Sequence, residues 1–272
     1  MKIFREPRQL QIWCRAQRFA GRKIALVPTM GYLHEGHLSL IQKAKALGAD
    51  EIVVSIFVNP VQFGPGEDFA KYPRDERADL EKCKLAGATA IFFPKPANMY
   101  LGGHSVYVVE EALSKGLCGA RRPGHFRGVC TVVAKLFNLA YPTFAVFGQK
   151  DYQQAQIIKR MVRDLNFDME IVVVPIVREP SGLARSSRNT YLSPAEKEKA
   201  LAISQTLRAI KEHRIKTLSA AAKAITAAGL ELDYIECVDA TTLAPKRRIE
   251  KGRCVLVAAY AGKTRLIDNI VI

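Results

Sequence analysis

Residues 24–37, IALVPTMGYLHEGH, carry the strongest structural signal in the chain: an apolar run leads through Gly31 to His34 and His37. An amphipathic run, residues 38–48, follows it. This order predicts a strand, a tight turn and a helix whose first turn carries both imidazoles. Because a helix N-terminus offers unpaired backbone N–H groups and the positive end of the helix dipole, such a turn attracts phosphate. The stretch is therefore a candidate nucleotide site.

The histidine pair alone leaves two other interpretations open. Two histidines three residues apart also occur at a solvated helix start, or as half of a zinc site. Zinc would need further ligands, and the six cysteines of the chain form no C-x-x-C pair. Segments further along the chain favour the nucleotide interpretation.

Composition indicates a globular protein. The 272 residues are 49% hydrophobic and 25% charged, which allows a substantial core. No apolar run reaches membrane-spanning length, and the first residues lack the apolar stretch of a secretion signal. Six cysteines without a pairing pattern are typical of a reducing compartment. We expect a cytoplasmic protein with no membrane partner.

The net charge of +15 suits either nucleic acid or polyanionic small substrates. The basic residues are spread along the chain rather than collected in one tail. No interleaving of aromatic and basic residues marks an RNA-binding sheet. We therefore expect small-molecule substrates and no nucleic-acid partner.

Strand-like and helix-like segments alternate through the first two-thirds of the chain. Predicted strands cover residues 23–27, 51–58, 90–93, 105–109, 143–147 and 170–174. Predicted helices cover residues 38–47, 75–86, 129–140 and 152–165. This alternation predicts an α/β fold, a Rossmann-like parallel sheet with helices on both faces. Ligands of such sheets bind beyond the carboxyl ends of the strands, where the histidine turn lies.

The pattern changes after Arg178. Residues 194–215 and 218–228 are rich in Ala and Lys and predict helices, and residues 231–239, 254–260 and 264–271 predict strands. We expect a smaller C-terminal α+β domain. The predicted domains are residues 1–177, which bind the nucleotide and the acid substrate, and residues 178–272.

Two further segments carry polar groups next to predicted elements. Gln62 follows the strongest predicted strand, where a carboxamide can bind a hydroxyl or carboxylate, although a lone loop glutamine is usually only solvated. Arg122 and Arg127 flank the start of the helix predicted to begin near Val129. They suit either contact with an anion or a basic turn that caps the helix.

Residues 147–154, FGQKDYQQ, again predict a strand, a turn and a helix. Gly148 permits close backbone approach, and Lys150 can place a charge on a phosphate. Asp151 can accept hydrogen bonds from ribose hydroxyls or cap the helix, and these two roles stay open. Gln154 lies three residues further on, near the same helix face.

Residues 181–189, SGLARSSRN, form a polar, basic loop with hydroxyls between arginines. Arginine and hydroxyl donors together make a good phosphate clamp. A flexible surface loop is the alternative for this segment taken alone.

Taken jointly, these segments resemble the pantothenate synthetase (pantoate–β-alanine ligase) family. The resemblance rests on TMGYLHEGH at residues 29–37, NPVQF at 59–63, YPR at 72–74, LCGARRPGHFRGV at 117–129, FGQKDYQQ at 147–154 and SSRNTYLS at 186–193. The His-x-Gly-His element alone is shared with many nucleotidylyltransferases and class I aminoacyl-tRNA synthetases. The full set is specific to this family, and the likeness is weakest after about Pro194.

The resemblance implies a Rossmann-like, usually dimeric ligase that joins pantoate to β-alanine through a pantoyl adenylate, using ATP and Mg²⁺. It implies catalytic roles for His34, His37 and Lys150, and a site for pantoate and β-alanine at Gln62 and Gln154. It also implies a weaker candidate for Mg²⁺ contact at Asp79. The positions that it places along ATP are Met30, His34, His37, Gly148, Gln149, Lys150, Asp151, Val177, Arg185, Ser186, Ser187 and Arg188.

The chain departs from the family pattern at two positions. Ser181 stands where the family usually has Asp, and Arg185 where it usually has Met. Both exchanges make the proposed phosphate loop more positive. Two rival functions remain: transfer of a nucleotidyl group to a phosphorylated acceptor, and binding of a nucleotide or RNA without catalysis.

Overall fold

The computed structural model describes residues 1–272 and contains two sheets. The first sheet is six-stranded and entirely parallel, with the order β1-β4-β3-β2-β5-β6. Its strands are β1 (Lys2–Phe4), β2 (Ile24–Thr29), β3 (Glu51–Ile56), β4 (Ala90–Phe92), β5 (Phe144–Gly148) and β6 (Glu170–Val174). The parallel sheet predicted from the alternating segments is confirmed.

Helices cover both faces of this sheet. They are α1 (Pro7–Phe19), α2 (Glu35–Ala46), α3 (Glu76–Ala86), α4 (Pro96–Met99), α5 (Leu117–Arg121), α6 (His125–Ala140) and α7 (Tyr152–Asp164). Alternate residues of β2 enter different cores: Ile24 and Leu26 pack with α1, α6 and α7, whereas Ala25 and Val27 pack with α2 and α3. Burial on both faces explains why the strand is a continuous apolar run.

The C-terminal part forms the second sheet, which is antiparallel with the order β7-β8-β9. Its elements are α8 (Pro194–Lys211), α9 (Leu218–Ala227), β7 (Glu231–Asp239), β8 (Arg253–Ala261) and β9 (Thr264–Val271). One set of its apolar residues packs with α8 and α9, and another joins the core of α6 and α7. The predicted α+β unit is confirmed, while the division at residue 178 stays a prediction.

Several predicted elements differ from the observed ones. Residues 105–109 form no strand: they pair with no other strand, and Val106 and Val109 are exposed. The short edge strand β1 and helix α1 were not predicted. Helix α6 begins at His125, before the predicted residue 129, with Gly128 inside its first turns. No helix in the chain has the length and apolarity needed to cross a membrane.

Glycine at position 128 lets α6 approach the 3₁₀ turn Pro60–Gln62 that follows β3. A Cβ atom there would lie 2.5 Å from the Val61 carbonyl oxygen and 2.6 Å from the backbone nitrogen of Gln62. Both are backbone atoms, which cannot rotate away as a flexible side chain can. The contact therefore places the turn that carries Gln62 directly against the first turns of α6.

We predict that Gly128→Ala lowers the free energy of unfolding by about 1–3 kcal/mol, because an added methyl group in a closed contact forces the backbone to shift. Urea unfolding followed by circular dichroism measures this change. Gly102→Ala is the control, since nothing lies within 4 Å of a Cβ at that position. Equal stability of the two variants would contradict the prediction.

Candidate active site

The candidate site lies where the carboxyl ends of β2, β3 and β5 meet. Strand β2 is hydrogen-bonded to β3 on one side and to β5 on the other. The chain leaves β2 toward β3 and β4 on one side and later builds β5 and β6 on the other. The order of the strands therefore reverses beside β2, and this reversal opens the crevice in which parallel α/β sheets bind ligands.

Helix α3 fixes the turn after β2. The backbone N–H groups of Tyr32 and Leu33 donate to the two carboxylate oxygens of Asp79, at 2.8 and 2.7 Å. The Lys82 ammonium donates to the Leu33 carbonyl at 2.7 Å. Gly31 has φ +84, and a Cβ there would lie 2.9 Å from the Ile56 side chain. These contacts set the direction in which the chain enters α2.

This geometry does not fit the predicted Mg²⁺ contact of Asp79. The side chain is 2% exposed, both of its oxygens already accept backbone hydrogen bonds, and it does not line the cavity described below. Burial raises the pKa of Asp79 and so disfavours the charged carboxylate that a metal ion would require. No three His, Cys, Asp or Glu side chains lie together in a way that could hold a metal ion. Asp79 instead positions the turn.

His34 and His37 each accept a backbone N–H at the start of α2. Nδ1 of His34 accepts from the Gly36 N–H at 3.1 Å, and Nδ1 of His37 accepts from the His34 N–H at 3.3 Å. An imidazole nitrogen that accepts a hydrogen bond carries no proton, so a neutral ring carries its proton on Nε2. Each ring therefore has an Nε2–H donor available for a ligand.

Both rings are held neutral. Burial, followed by the nearby Lys150 ammonium, lowers the pKa of His34 to about 4. Burial, His34 and Lys150 hold the pKa of His37 well below its ordinary value of 6.5. The ring centroids are 4.1 Å apart. At neutral pH the site therefore presents two neutral donors beside a single ammonium group.

One cavity of about 210 Å³ collects most of the predicted site residues. The predicted residues that line it are Met30, His34, His37, Gln62, Gly148, Lys150, Asp151, Gln154, Val177, Arg185, Ser186, Ser187 and Arg188. The Gln149 side chain does not line it and donates instead to Asn269 on β9, at 3.1 Å. The cavity thus unites the turns after β2, β3 and β5 with the loop that follows Arg178.

A larger cavity of about 690 Å³ adjoins the first and reaches β8 and β9 of the antiparallel sheet. Lys150, Asp151, Gln154, Ser186 and Arg188 line both spaces. The two cavities therefore form one cleft between the parallel sheet and the C-terminal part. Its size is in the range of small-molecule sites, which is roughly 300–1,000 Å³.

The Gln62 carboxamide has a fixed orientation. Its Oε1 accepts from Nδ2 of Asn59 at 3.2 Å, and its Nε2 donates to Sδ of Met30 at 3.0 Å. Asn59 is itself held by the Tyr100 hydroxyl, which donates to its Oδ1 at 2.8 Å. Because sulfur is a weak acceptor, a carboxylate or hydroxyl oxygen in the cavity would be a better partner for the Gln62 N–H.

The arginines near the start of α6 do not reach the smaller cavity. Arg122 makes a two-bond ion pair with Glu67, at 2.7 and 2.6 Å, and the Arg127 guanidinium lies 4.3 Å from the ring centre of Tyr107. Neither side chain caps α6. Arg122 also donates to His125, whose Nδ1–H donates to the Gln62 carbonyl at 2.8 Å. A helix cap by these side chains is therefore wrong, whereas anion contact stays a prediction, because Arg122 lines the larger cavity of the same region described above.

Of the two roles considered for Asp151, helix capping is wrong. Asp151 is the N-cap residue of α7, but its side chain accepts no hydrogen bond from the helix. Its carboxylate lies 3.4 Å from the Lys150 ammonium and is about half exposed. The carboxylate is therefore free to face a ligand.

The arginines of the phosphate loop have acidic partners. Arg188 makes two hydrogen bonds with Asp68, at 3.0 and 2.8 Å. Arg185 lies 3.3 Å from the Glu35 carboxylate and 3.7 Å from that of Glu179. The extra positive charge that Arg185 brings to this loop is therefore largely balanced within the chain.

Asp68 and Asn59 belong to the site but were not singled out from the sequence. Asp68 follows Glu67, and these two acidic residues pair with two arginines of opposite charge, Glu67 with Arg122 and Asp68 with Arg188. That complementarity is the only sequence signal for its role. Asn59 begins the NPVQF motif, and its hydrogen bond to Gln62 depends on the 3₁₀ turn between them.

Sheet, crevice and histidine turn together define a nucleotide-binding α/β enzyme. A family model described as pantoate–β-alanine ligase matches residues 2–271. The pantothenate synthetase of Anaeromyxobacter dehalogenans is 53% identical over 98% of this chain and 97% of its own length. That of Thermotoga petrophila is 48% identical over the full length of both chains.

Solved structures agree with the sequence comparisons. A pantothenate synthetase from Thermus thermophilus has a TM-score of 0.90 and 41% identity over 99% of both chains. A pantoate–β-alanine ligase from Francisella tularensis, described as complexed with β,γ-ATP and β-alanine, has a TM-score of 0.86 and 34% identity over 100% of this chain and 97% of its own. The chain belongs to the pantoate–β-alanine ligase family. It is an ATP-dependent ligase that forms the carbon–nitrogen bond of pantothenate.

The neutral state of His37 predicts a pH dependence of stability. Its pKa is lower in the folded chain than in the unfolded chain, so below pH 6.5 the unfolded chain binds more protons. Stability from this group is present above pH 6.5 and is lost as the pH falls. We predict that His37→Asn, which keeps an acceptor but cannot titrate, reduces the loss between pH 6.5 and 5 by about 1 kcal/mol.

Urea unfolding at pH 6.5, 5.75 and 5 measures this difference. His213→Asn is the control, because His213 is exposed on the surface. If the stability of the His37→Asn variant falls with pH as steeply as that of the parent chain, His37 is not the titrating group.

Proposed function

We propose that the ligation takes place in the cleft at the carboxyl ends of β2, β3 and β5, with ATP along the histidine turn and the loop 185–188. The observation that carries the proposal is one cavity lined by two neutral imidazoles, one ammonium group and three carboxamides. Donors of this kind suit a triphosphate and an organic acid lying side by side. The proposed catalytic residues are His34, His37 and Lys150.

In the first step, a carboxylate oxygen of pantoate attacks the α-phosphorus of ATP. The bond from that phosphorus to the α,β-bridging oxygen breaks, pyrophosphate leaves, and pantoyl adenylate remains. Nε2–H of His34, Nε2–H of His37 and the Lys150 ammonium stabilise the charge that develops on the phosphate oxygens. Donors that the fold already holds in position need little reorganisation during the reaction, so they lower the barrier to the transition state.

In the second step, the β-alanine amine attacks the acyl carbon of the adenylate. The carbon–nitrogen bond forms, the bond to the AMP oxygen breaks, and the amine proton is released. A free carboxylate is a poor acyl donor, because oxide would have to leave, whereas AMP is a good leaving group. The protein's contribution is positioning and charge stabilisation, and no serine or cysteine nucleophile takes part.

Gln62 and Gln154 supply the proposed contacts to pantoate. Both line the smaller cavity beside Lys150. Since Asn59 fixes the Gln62 amide with its NH₂ toward Met30, Gln62 acts as a donor to a substrate oxygen. The same geometry disfavours a cationic group there, so the amine of β-alanine approaches from another direction.

The proposed Mg²⁺ enters as part of the magnesium–ATP substrate. The residues at the site do not form a protein cage for the ion, since Asp79 is committed to the backbone of the turn. Mg²⁺ is commonly held by substrate phosphates and a small number of carboxylates. We therefore assign no catalytic step of this chain to a metal-binding residue.

Two assays separate this reaction from the rival functions. With ATP and pantoate alone, the ligase releases pyrophosphate up to one equivalent per site, and added β-alanine then releases AMP. A nucleotidylyltransferase would not consume labelled β-alanine. A binding module without catalysis would turn over no ATP and would bind RNA in a salt-sensitive way.

We predict that Lys150→Ala lowers pantoate-dependent pyrophosphate release by about 100-fold or more with an unchanged circular dichroism spectrum, because it removes a charge that favours the transition state. Stopped-flow detection of pyrophosphate measures the rate. Lys197→Ala is the control, because Lys197 is exposed on α8, away from the cleft. Near-normal pyrophosphate release by the Lys150 variant would count against the assigned role.

A homodimer in the cytoplasm completes the proposal. Leu101, Val106 and Val109 expose apolar side chains between α4 and α5, on a segment that pairs with no strand, as expected of a surface that a second copy covers. All six cysteines are free and buried, which fits a reducing compartment.

We predict a mass of about twice the 30.2 kDa chain in multi-angle light scattering. Val106→Asp should shift the protein toward monomer, because a charge on an apolar interface is costly to bury. Lys197→Ala again serves as the control. A monomeric parent chain at micromolar concentration would refute the dimer.

A further inference from the structure

One side chain of the last strand holds the turn that carries Lys150. Nδ2 of Asn269, on β9, donates to the backbone carbonyls of Gln149 and Lys150, each at 3.0 Å. Its Oδ1 accepts from Nε2 of Gln149 at 3.1 Å. Asn269 is 2% exposed. Both N–H donors and the oxygen acceptor of the Asn269 amide are therefore bonded to one turn, the turn that follows β5 of the parallel sheet.

Asp268, the residue before Asn269, holds the start of the loop that carries Ser186 and Arg188. Asp268 makes two hydrogen bonds with Arg178, at 2.6 and 2.9 Å, and also accepts the Asn269 N–H at 2.8 Å. Arg178 begins the loop that leads to Ser186 and donates to the Gly182 carbonyl at 3.2 Å. Two consecutive residues of β9 thus contact two parts of the site. Asn269 contacts residues 149–151, here called the lysine turn, and Asp268 contacts Arg178 at the start of the phosphate loop.

Asn269 is the only side chain that makes a hydrogen bond to the backbone of the lysine turn, residues 149–151. Residues 149–151 form one 3₁₀ turn between β5 and α7, and no side chain caps either it or α7. The Lys150 ammonium itself has only the 3.4 Å contact to Asp151. The direction of the Lys150 side chain therefore depends on the backbone that Asn269 fixes.

We infer that Asn269 is a positioning residue for the adenylation step, acting through Lys150, so that the C-terminal sheet forms part of the active site. The inference rests on the proposed role of Lys150. A lysine displaced by about 1 Å still binds substrates but no longer meets the charge of the transition state, an error that costs roughly 100-fold in rate. The loss is then expected in kcat rather than in the KM for pantoate.

The test is a double-mutant cycle of Asn269→Ala and Lys150→Ala, read as single-turnover pyrophosphate release with enzyme in excess over ATP. We expect Asn269→Ala to lower the rate by about 10- to 100-fold with less than a threefold change in the KM for pantoate. In the Lys150→Ala background it should cost less than threefold further, because the group it positions is gone.

Thr131→Val is the matched control. It removes another buried hydrogen bond from a side chain to a backbone carbonyl, that of the Thr131 hydroxyl to Arg127 at 2.7 Å, at a position that lines neither cavity and does not touch the lysine turn. Its rate should stay within threefold of the parent chain. Asn269→Ser, which is too short to reach both carbonyls, replaces Asn269→Ala if that variant does not fold.

Two results would overturn the inference. Equal costs of the Asn269 substitution in the parent and Lys150→Ala backgrounds would show a general structural effect. A normal rate for Asn269→Ala or Asn269→Ser would show that the turn holds itself. If Lys150→Ala alone releases pyrophosphate normally, the proposed function of Lys150 fails, and this outcome is distinct from both.

Discussion

The site depends on keeping two imidazoles neutral beside an ammonium group. His34 and His37 each use Nδ1 to accept a backbone N–H at the start of α2, so their protons lie on Nε2. Protonation of either ring would put a second positive charge next to Lys150 in a partly closed space. The same bonds that cap the helix therefore determine the chemistry of the rings.

That arrangement requires support from elements distant in sequence. Asp79 on α3 holds the turn before α2, Asn59 orients Gln62, and Asn269 on β9 contacts the turn of Lys150. None of these side chains needs to touch substrate to affect the reaction. Each of them fixes a backbone segment or an amide that would otherwise lose conformational entropy during the reaction. Because this entropy is lost on folding instead, the activation free energy is lower.

The sequence predicted the elements that follow from apolar periodicity and missed those that depend on tertiary contacts. The runs at 24–27 and 52–54 marked β2 and β3 because both faces of each strand are buried. Residues 105–109 look equally strand-like, yet no partner strand lies beside them. The sequence motifs predicted most of the residues that line the cavity. They could not predict that Asp79 binds the backbone of Tyr32 or that Gln149 binds Asn269, because these contacts join residues 47 and 120 positions apart.

The charges of the cleft also explain why Lys150 differs from its basic neighbours. Arg188 is paired with Asp68 and Arg185 with Glu35, so a phosphate must compete with a carboxylate for either guanidinium. If a phosphate replaces the carboxylate, the guanidinium still has an anionic partner. The free-energy cost of a buried, unpaired charge is then avoided. Lys150 has only a 3.4 Å contact with a half-exposed carboxylate. It is thus the cation that can follow the developing charge at the α-phosphate with the least loss of existing bonds.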